Sequence, residues 1–209
     1  MGLRERFRAG LARQLGHPSG LRGRAVGAML NRRNREAVVK AVAALELTGG
    51  ETALDIGFGG GLGLRLLLPA AARVHGVDIS ATMLDRARAT FREELAAGRL
   101  VLDEGSMTAL PLADGSVDAI VSTNTIYFVE DLGAALAEVA RVLAPGGRFV
   151  LGIGDPDMMA RVPMLTGNGF RLRPVADVEA ALGAAGLSLR KHARFTHGGL
   201  GFHLLSTAK

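Results

Sequence analysis

Leu54-Asp55-Ile56-Gly57-Phe58-Gly59-Gly60-Gly61-Leu62-Gly63 is the stretch on which the reading of this chain turns. A short apolar run over 52–56 reads as a buried strand. Glycines then form a turn, and 62–68 reads as a helix. Glycine lets backbone N–H groups approach a ligand closely, and the helix start behind them favours negative charge. A dinucleotide fingerprint needs a third glycine five residues after the first. Counted from Gly57, Gly59 or Gly61, that place holds Leu62, Leu64 or Leu66. A phosphate-binding loop needs Gly-Lys-Ser/Thr, and none of Lys40, Lys191 and Lys209 follows a glycine. What remains is Asp-x-Gly-x-Gly-x-Gly over 55–61, with a second acid, Asp78, at the end of the next apolar run. A carboxylate placed there can accept from both hydroxyls of a ribose.

The same alternation continues outward from this stretch. Strands are expected over 73–78, 100–103, 117–122 and 148–153. Helices are expected over 80–97, with Ser80 as N-cap, over 132–143 and over 175–185. Two last strands, 187–195 and 201–207, lie close enough for a hairpin. On the N-terminal side, helices are expected over 3–15, 21–30 and 34–45. The fold class is therefore α/β: a doubly wound, mostly parallel seven-stranded sheet. Helices cover both faces, a C-terminal antiparallel hairpin closes it, and lid helices precede it. Two domains are expected: a basic helical lid over 1–40, and the main body over 41–209.

The chain has 209 residues, 48% hydrophobic and 22% charged, so it can bury its own core. There is no Cys, which excludes disulfides, Cys-based zinc or iron–sulfur sites and a thiol nucleophile. No His/Asp/Glu cluster has metal-ligand spacing, and no metal is expected. Apolar runs break well short of the roughly 20 residues a membrane span needs. The N-terminus lacks an apolar signal core, which makes the cytoplasm the expected compartment. Ten of the 25 basic residues but only two of the 20 acids lie in residues 1–40, whereas the whole chain carries +5. That arm could meet an anionic partner or be a solvated face. Its stripe of Leu3, Phe7, Leu11 and Leu15 offers contact with a membrane surface.

On these residues the sequence resembles the class I S-adenosylmethionine-dependent methyltransferases. Residues 54–63 are similar to that family's first motif, and Gly76-Val77-Asp78-Ile79-Ser80 to its second. Residues 105–112, 118–122 and 140–149 are similar to its later segments, and the resemblance runs from about Val38 to the C-terminus. It implies S-adenosylmethionine as cofactor. Gly57 and Gly59 would pass close to the methionine portion, with Asp55 beneath it, and Asp78 would hold the ribose. Ile79 and Met83 would pack on the adenine, with Ser106 and Met107 at its edge. Family members more often carry Asp at position 106 and a small residue at 58, where this chain has Ser106 and Phe58. Asn124 would face the methionine end, and Arg33 would pair its carboxylate. Tyr127 and His17 are the residues that could orient or deprotonate an acceptor. His75 and His203 read as satisfied strand histidines.

Nucleic-acid amine methyltransferases often carry Asn/Asp-Pro-Pro-Tyr/Phe after the fourth strand. Here Asn124 and Tyr127 stand without proline, which points away from nucleic acid. The segment 155–173 holds Met158, Met159, Val162, Met164, Leu165 and Phe170, with Arg161, Arg171 and Arg173 between them. That suits a small apolar or aromatic substrate, the arginines suiting an anionic substituent. A membrane lipid or quinone is the alternative substrate. A nucleic-acid enzyme and a non-enzymatic cofactor-binding protein are the remaining readings.

Overall fold

The computed structural model describes residues 34–162 and 170–209. In chain order the elements are α1 (Arg35–Ala43), β1 (Thr52–Ile56), α2 (Leu62–Leu67), β2 (Arg73–Asp78), α3 (Ala81–Thr90) and α4 (Arg92–Ala96). There follow β3 (Leu100–Glu104), β4 (Val117–Thr123), a 3-10 turn (Ile126–Phe128), α5 (Leu132–Val142) and β5 (Leu143–Gly154). The chain closes with α6 (Pro156–Ala160), α7 (Val175–Ala184), β6 (Ser188–His197) and β7 (Leu200–Ala208). The seven strands form one sheet in the order β3-β2-β1-β4-β5-β7-β6. Neighbours from β3 to β5 pair in parallel, and β7 runs antiparallel to both β5 and β6. This is the architecture expected from the sequence.

The central strands are apolar on both sides because helices cover both faces. Leu54 and Ile56 of β1, Ile120 of β4 and Phe149 of β5 face α5 and α7, packing with Leu136, Val139, Val178 and Leu182. Ala53, Ala119 and Val150 face the other way, toward Ala41 of α1, Leu64 of α2 and Leu84 of α3. The period-two alternation of a strand divides one sequence between two cores.

Two local expectations need correction. The helix expected over 80–97 is broken at Phe91 (φ −112°, ψ 40°). The Phe91 ring turns inward, only 4% exposed, and meets the Arg65 guanidinium 5.5 Å from its centroid. The strand expected over 148–153 begins already at Leu143 and absorbs residues 144–147 as an irregularity, where pairing shifts between Val117 and Ala119. Asp155 begins the short helix α6. It is an N-cap whose side chain accepts from Asp157 and Met158, and Pro156 presets the first turn.

Between β3 and β4 the chain crosses the sheet edge as a long connection, held to α5 by Arg141. Its guanidinium donates to the carbonyls of Leu112 (2.8 Å) and Leu110 (3.0 Å) and to Glu138 (2.7 Å) and Asp114 (2.6 Å). Glu138 in turn accepts from the Leu110 N–H at 2.9 Å. The Arg141 contact keeps the Glu138 carboxyl below the ordinary carboxylate range. Arg141→Ala leaves these acceptors facing each other and should cost about 2–3 kcal/mol in denaturant unfolding. Arg141→Lys, which lacks the planar fork, should recover less than half of that.

Candidate active site

The carboxyl ends of β1 and β4 meet where strand order reverses, the place at which open α/β sheets bind ligands. There the glycine turn leaves β1 with Gly57, Gly59 and Gly61 at φ +70°, +50° and +78°. Gly57 donates to the Val77 carbonyl at 2.7 Å, which fastens the turn to β2. A Cβ at Gly57 would stand 2.5 Å from Thr125 Oγ1, and one at Gly63 would stand 2.1 Å from Asp55 Oδ2. The turn is therefore glycine-rich for two reasons, left-handed backbone and lack of space.

Asp78 supports the turn from β2. One carboxylate oxygen accepts from the Gly59 N–H at 2.8 Å, the other from the Ser80 N–H at 2.9 Å. Ser80 caps α3, as the sequence suggested. Asp55 lies underneath, fully buried, with its carboxyl toward the Leu64 N–H at the start of α2. Burial, with the Asp78 charge added, pushes the Asp55 carboxyl up to about 8.

A cavity of about 580 Å³ opens over this end of the sheet. Gly57, Gly59, Asp78, Ile79, Met83, Ser106 and Met107 line one end of it. Tyr127, Phe128, Met158, Met159, Val162, Phe170 and Phe202 line the other, with Asn34 and Val38 of the N-terminal region above. Asn124 lies between the two ends, with a left-handed backbone (φ +57°). Ser106 Oγ is paired with Thr108 Oγ1 at 2.9 Å. Phe58, the departure from the family pattern, also lines the cavity and packs over Gly76 of β2.

The residues expected around a cofactor thus come together, with one difference of position. Asp55 does not reach the cavity wall and instead backs the turn from below. His17 and Arg33, with most of the lid expected over 1–40, lie outside the described residues. Tyr127 is only 4% exposed, and its oxygen accepts from the Gly154 N–H and donates to Asn124 Oδ1 at 3.3 Å. Burial holds its phenol above the ordinary tyrosine value.

Two of the three arginines expected to meet an anionic substituent, Arg171 and Arg173, are engaged elsewhere. Arg171 pairs with Glu130 at 3.0 Å, and Arg173 donates to the carbonyls of Ile126, Val129 and Glu130. Both brace the turn after β4. Among the described residues the charged groups of the wall are Asp78, Glu130 and Asp131, all acidic. Sequence reasoning missed Thr125 as the buttress of Gly57, and it missed the partners of Asp155, which are Arg194 and His203 on β6 and β7. No local pattern announces contacts between residues about 40 or more positions apart.

Residues 54–151 match the model of the methyltransferase domain family. An uncharacterized 37.1 kDa protein in transposon TN4556 of Streptomyces fradiae is 42% identical over 119 residues, 56% of this chain and 34% of that protein. The chain therefore spans about a third of that relative's length. The O-methyltransferase resE of Aspergillus sclerotiorum is 25% identical over 190 residues, 79% of this chain and 72% of that one. In fold, the chain is similar to a putative methyltransferase of Haloferax volcanii solved with its Trm112 activator. The TM-score is 0.78 at 21% identity, covering 96% of each chain.

Two measurements follow from this geometry. Gly57→Ala should lower stability by about 2–4 kcal/mol. Adding Thr125→Ala should restore the steric part but leave about 1 kcal/mol for the left-handed backbone. Denaturant midpoints of the two variants check this. The folded Asp55 carboxyl holds its proton to higher pH than the unfolded one, so its contribution falls as pH rises from about 4 to about 8. Asp55→Asn should therefore match the wild type near pH 4 and be more stable by about 2 kcal/mol near pH 8.5, by thermal unfolding across that range.

Proposed function

Because the chain belongs to the class I S-adenosylmethionine-dependent methyltransferases, we propose that it methylates a small apolar or aromatic molecule by in-line displacement. The observation that carries the substrate class is the wall of Tyr127, Phe128, Met158, Met159, Phe170 and Phe202, with no Lys, Arg or His among its described residues. Such a wall binds by burial of apolar surface and by ring contact. Phe128 and Phe170 already meet edge to face, their centroids 4.8 Å apart. A flat acceptor fits against this pair. Among its described residues the wall offers no cation to hold a nucleic-acid backbone or a diphosphate.

The donor end fits the cofactor. When bound, S-adenosylmethionine supplies an electrophilic methyl on its sulfonium sulfur. Gly57 and Gly59 admit its methionine portion without a side chain in the way. Asp78, already oriented by the N–H groups of Gly59 and Ser80, takes the ribose hydroxyls. Ile79 and Met83 flank the adenine, and Met107 and Ser106 form its edge. Asp55 acts through the turn it supports. Tyr127 serves as a brace: its oxygen and its proton are both engaged, so it orients Asn124 rather than accepting a proton. The described walls thus contribute by holding acceptor and methyl in line and excluding water. A quinone or isoprenoid acceptor uses the same wall and is the second member of the same class.

Transfer of labelled methyl to a panel of neutral aromatic, quinol and isoprenoid acceptors, each beside a carboxylated analogue, tests the reading. Neutral acceptors should be preferred by about tenfold or more. A preference for the anionic partners would overturn the substrate class. In the same protein, Asp78→Ala should weaken S-adenosylhomocysteine by about 1–3 kcal/mol in calorimetry. Unchanged affinity would remove Asp78 from the site.

A further inference from the structure

Between the donor and acceptor ends of the cavity stands the side-chain amide of Asn124, to which the proposed reaction assigns no contact. Its backbone is pinned. The Asn124 N–H donates to the Gly152 carbonyl at 2.9 Å, and the Thr125 hydroxyl that follows reaches the carbonyls of Ile56 and Thr123, both at 3.3 Å. Asn124 holds φ at +57°, a left-handed conformation that asparagine tolerates better than most residues. The amide thus rests on a fixed turn at the end of β4.

The neighbouring phenol decides which way the amide faces. The Tyr127 oxygen is buried and accepts from the Gly154 N–H. Its single proton has one partner among the described residues, Asn124 Oδ1 at 3.3 Å. Turning the amide over would set Nδ2 against that oxygen and leave the phenolic proton a buried donor without an acceptor. Oδ1 therefore faces Tyr127, and Nδ2 keeps two N–H groups with no partner among the described residues. A donor at this place distinguishes acceptor atoms. An ionised hydroxyl has lone pairs to spare, so one can accept from Nδ2 while another attacks the methyl. A neutral amine has one lone pair, and an N–H aimed at it occupies the pair that must attack. The amine's own N–H groups would need Oδ1, which Tyr127 already holds.

We propose that Asn124 is a specificity-determining residue that selects a hydroxyl oxygen over an amine nitrogen as the methylated atom, its Nδ2 donating to the acceptor as the oxyanion forms. This selection rests on the methyltransferase reading. The acceptor hydroxyl gives up its proton to water. An oxygen lone pair then forms the new O–C bond while the S–C bond breaks and its electron pair stays on sulfur, so oxyanion and sulfonium become ether and thioether. An N–H contact to the charged oxygen lowers the pH at which the hydroxyl ionises. It thereby does part of the work of a base where Tyr127 is already engaged. The competing view is that asparagine serves the left-handed backbone alone, in which case glycine would do as well.

The probe is para-nitrophenol, whose phenolate absorbs visible light, titrated with pH on the full chain saturated with S-adenosylhomocysteine. The wild type should ionise the bound phenol more readily than Asn124→Gly does, by about tenfold in acid dissociation constant, the worth of one hydrogen bond to a charged oxygen. Asn124→Asp, which sets an acceptor where the donor stood, should make ionisation harder than in the glycine variant. If the aspartate variant does not fold, the glycine comparison still decides. With labelled methyl and matched phenols and anilines, the wild type should favour the phenols by about tenfold or more, and Asn124→Gly should lose most of that preference. Equal ionisation of the probe in wild type and glycine variant, no uptake of the probe beside bound S-adenosylhomocysteine, or a wild-type preference for anilines would overturn the proposal. Calorimetry of S-adenosylhomocysteine on the wild type keeps the two readings apart. Failure to bind counts against the methyltransferase function, whereas binding without a difference between the variants counts against Asn124 alone.

Discussion

The carboxylate of Asp78 is the contact on which the site is hung. It accepts from Gly59 on the turn after β1 and from Ser80 at the start of α3, and so fixes two loops from two strands at one point. It can do this because β1 and β2 pair in parallel and in register, which brings Ile56 beside Val77 and ends both strands on the same edge. The turn then has no room for side chains, with Thr125 against Gly57 and Asp55 against Gly63. The same crowding buries Asp55 beside a second acid and keeps its carboxyl largely protonated below about pH 8. Stability is thus given up locally for a backbone that a ligand can approach.

The cavity has two ends of different origin. The donor end comes from the first half of the sheet, where each functional residue stands next to a strand terminus. The acceptor end is assembled from the turn after β4, from α6, from Phe170 and from β7, elements far apart in sequence. Arg171 and Arg173 hold Glu130 and backbone carbonyls rather than face inward, and the wall they leave is mainly apolar. Tyr127 belongs to the same logic: it ties the turn after β4 to the end of β5 through Gly154 and leaves Asn124 oriented between the two ends.

Behind the acceptor wall, the antiparallel β7 does more than close the sheet. It carries His203 to Asp155, and β6 adds Arg194 and His192, so a short helix that would be marginal alone is fastened from two strands. The buried acid that caps α6 is thereby never left unpaired.

The sequence by itself determined the class of fold and the donor half of the site. Strand and helix periodicities, the spacing of Gly57, Gly59 and Gly61, and the acid at Asp78 are local properties, and local physics selects them. The tertiary structure alone decided that Asp55 backs the turn instead of lining the cavity, and that Phe91 breaks a helix by turning inward. It also decided that Arg171 and Arg173 serve the turn after β4, and which residues, Asp155 and His192, satisfy His203. Each of those outcomes depends on which side chain meets which across the sheet. That is set by strand order and register, and periodicity along the chain carries no record of it.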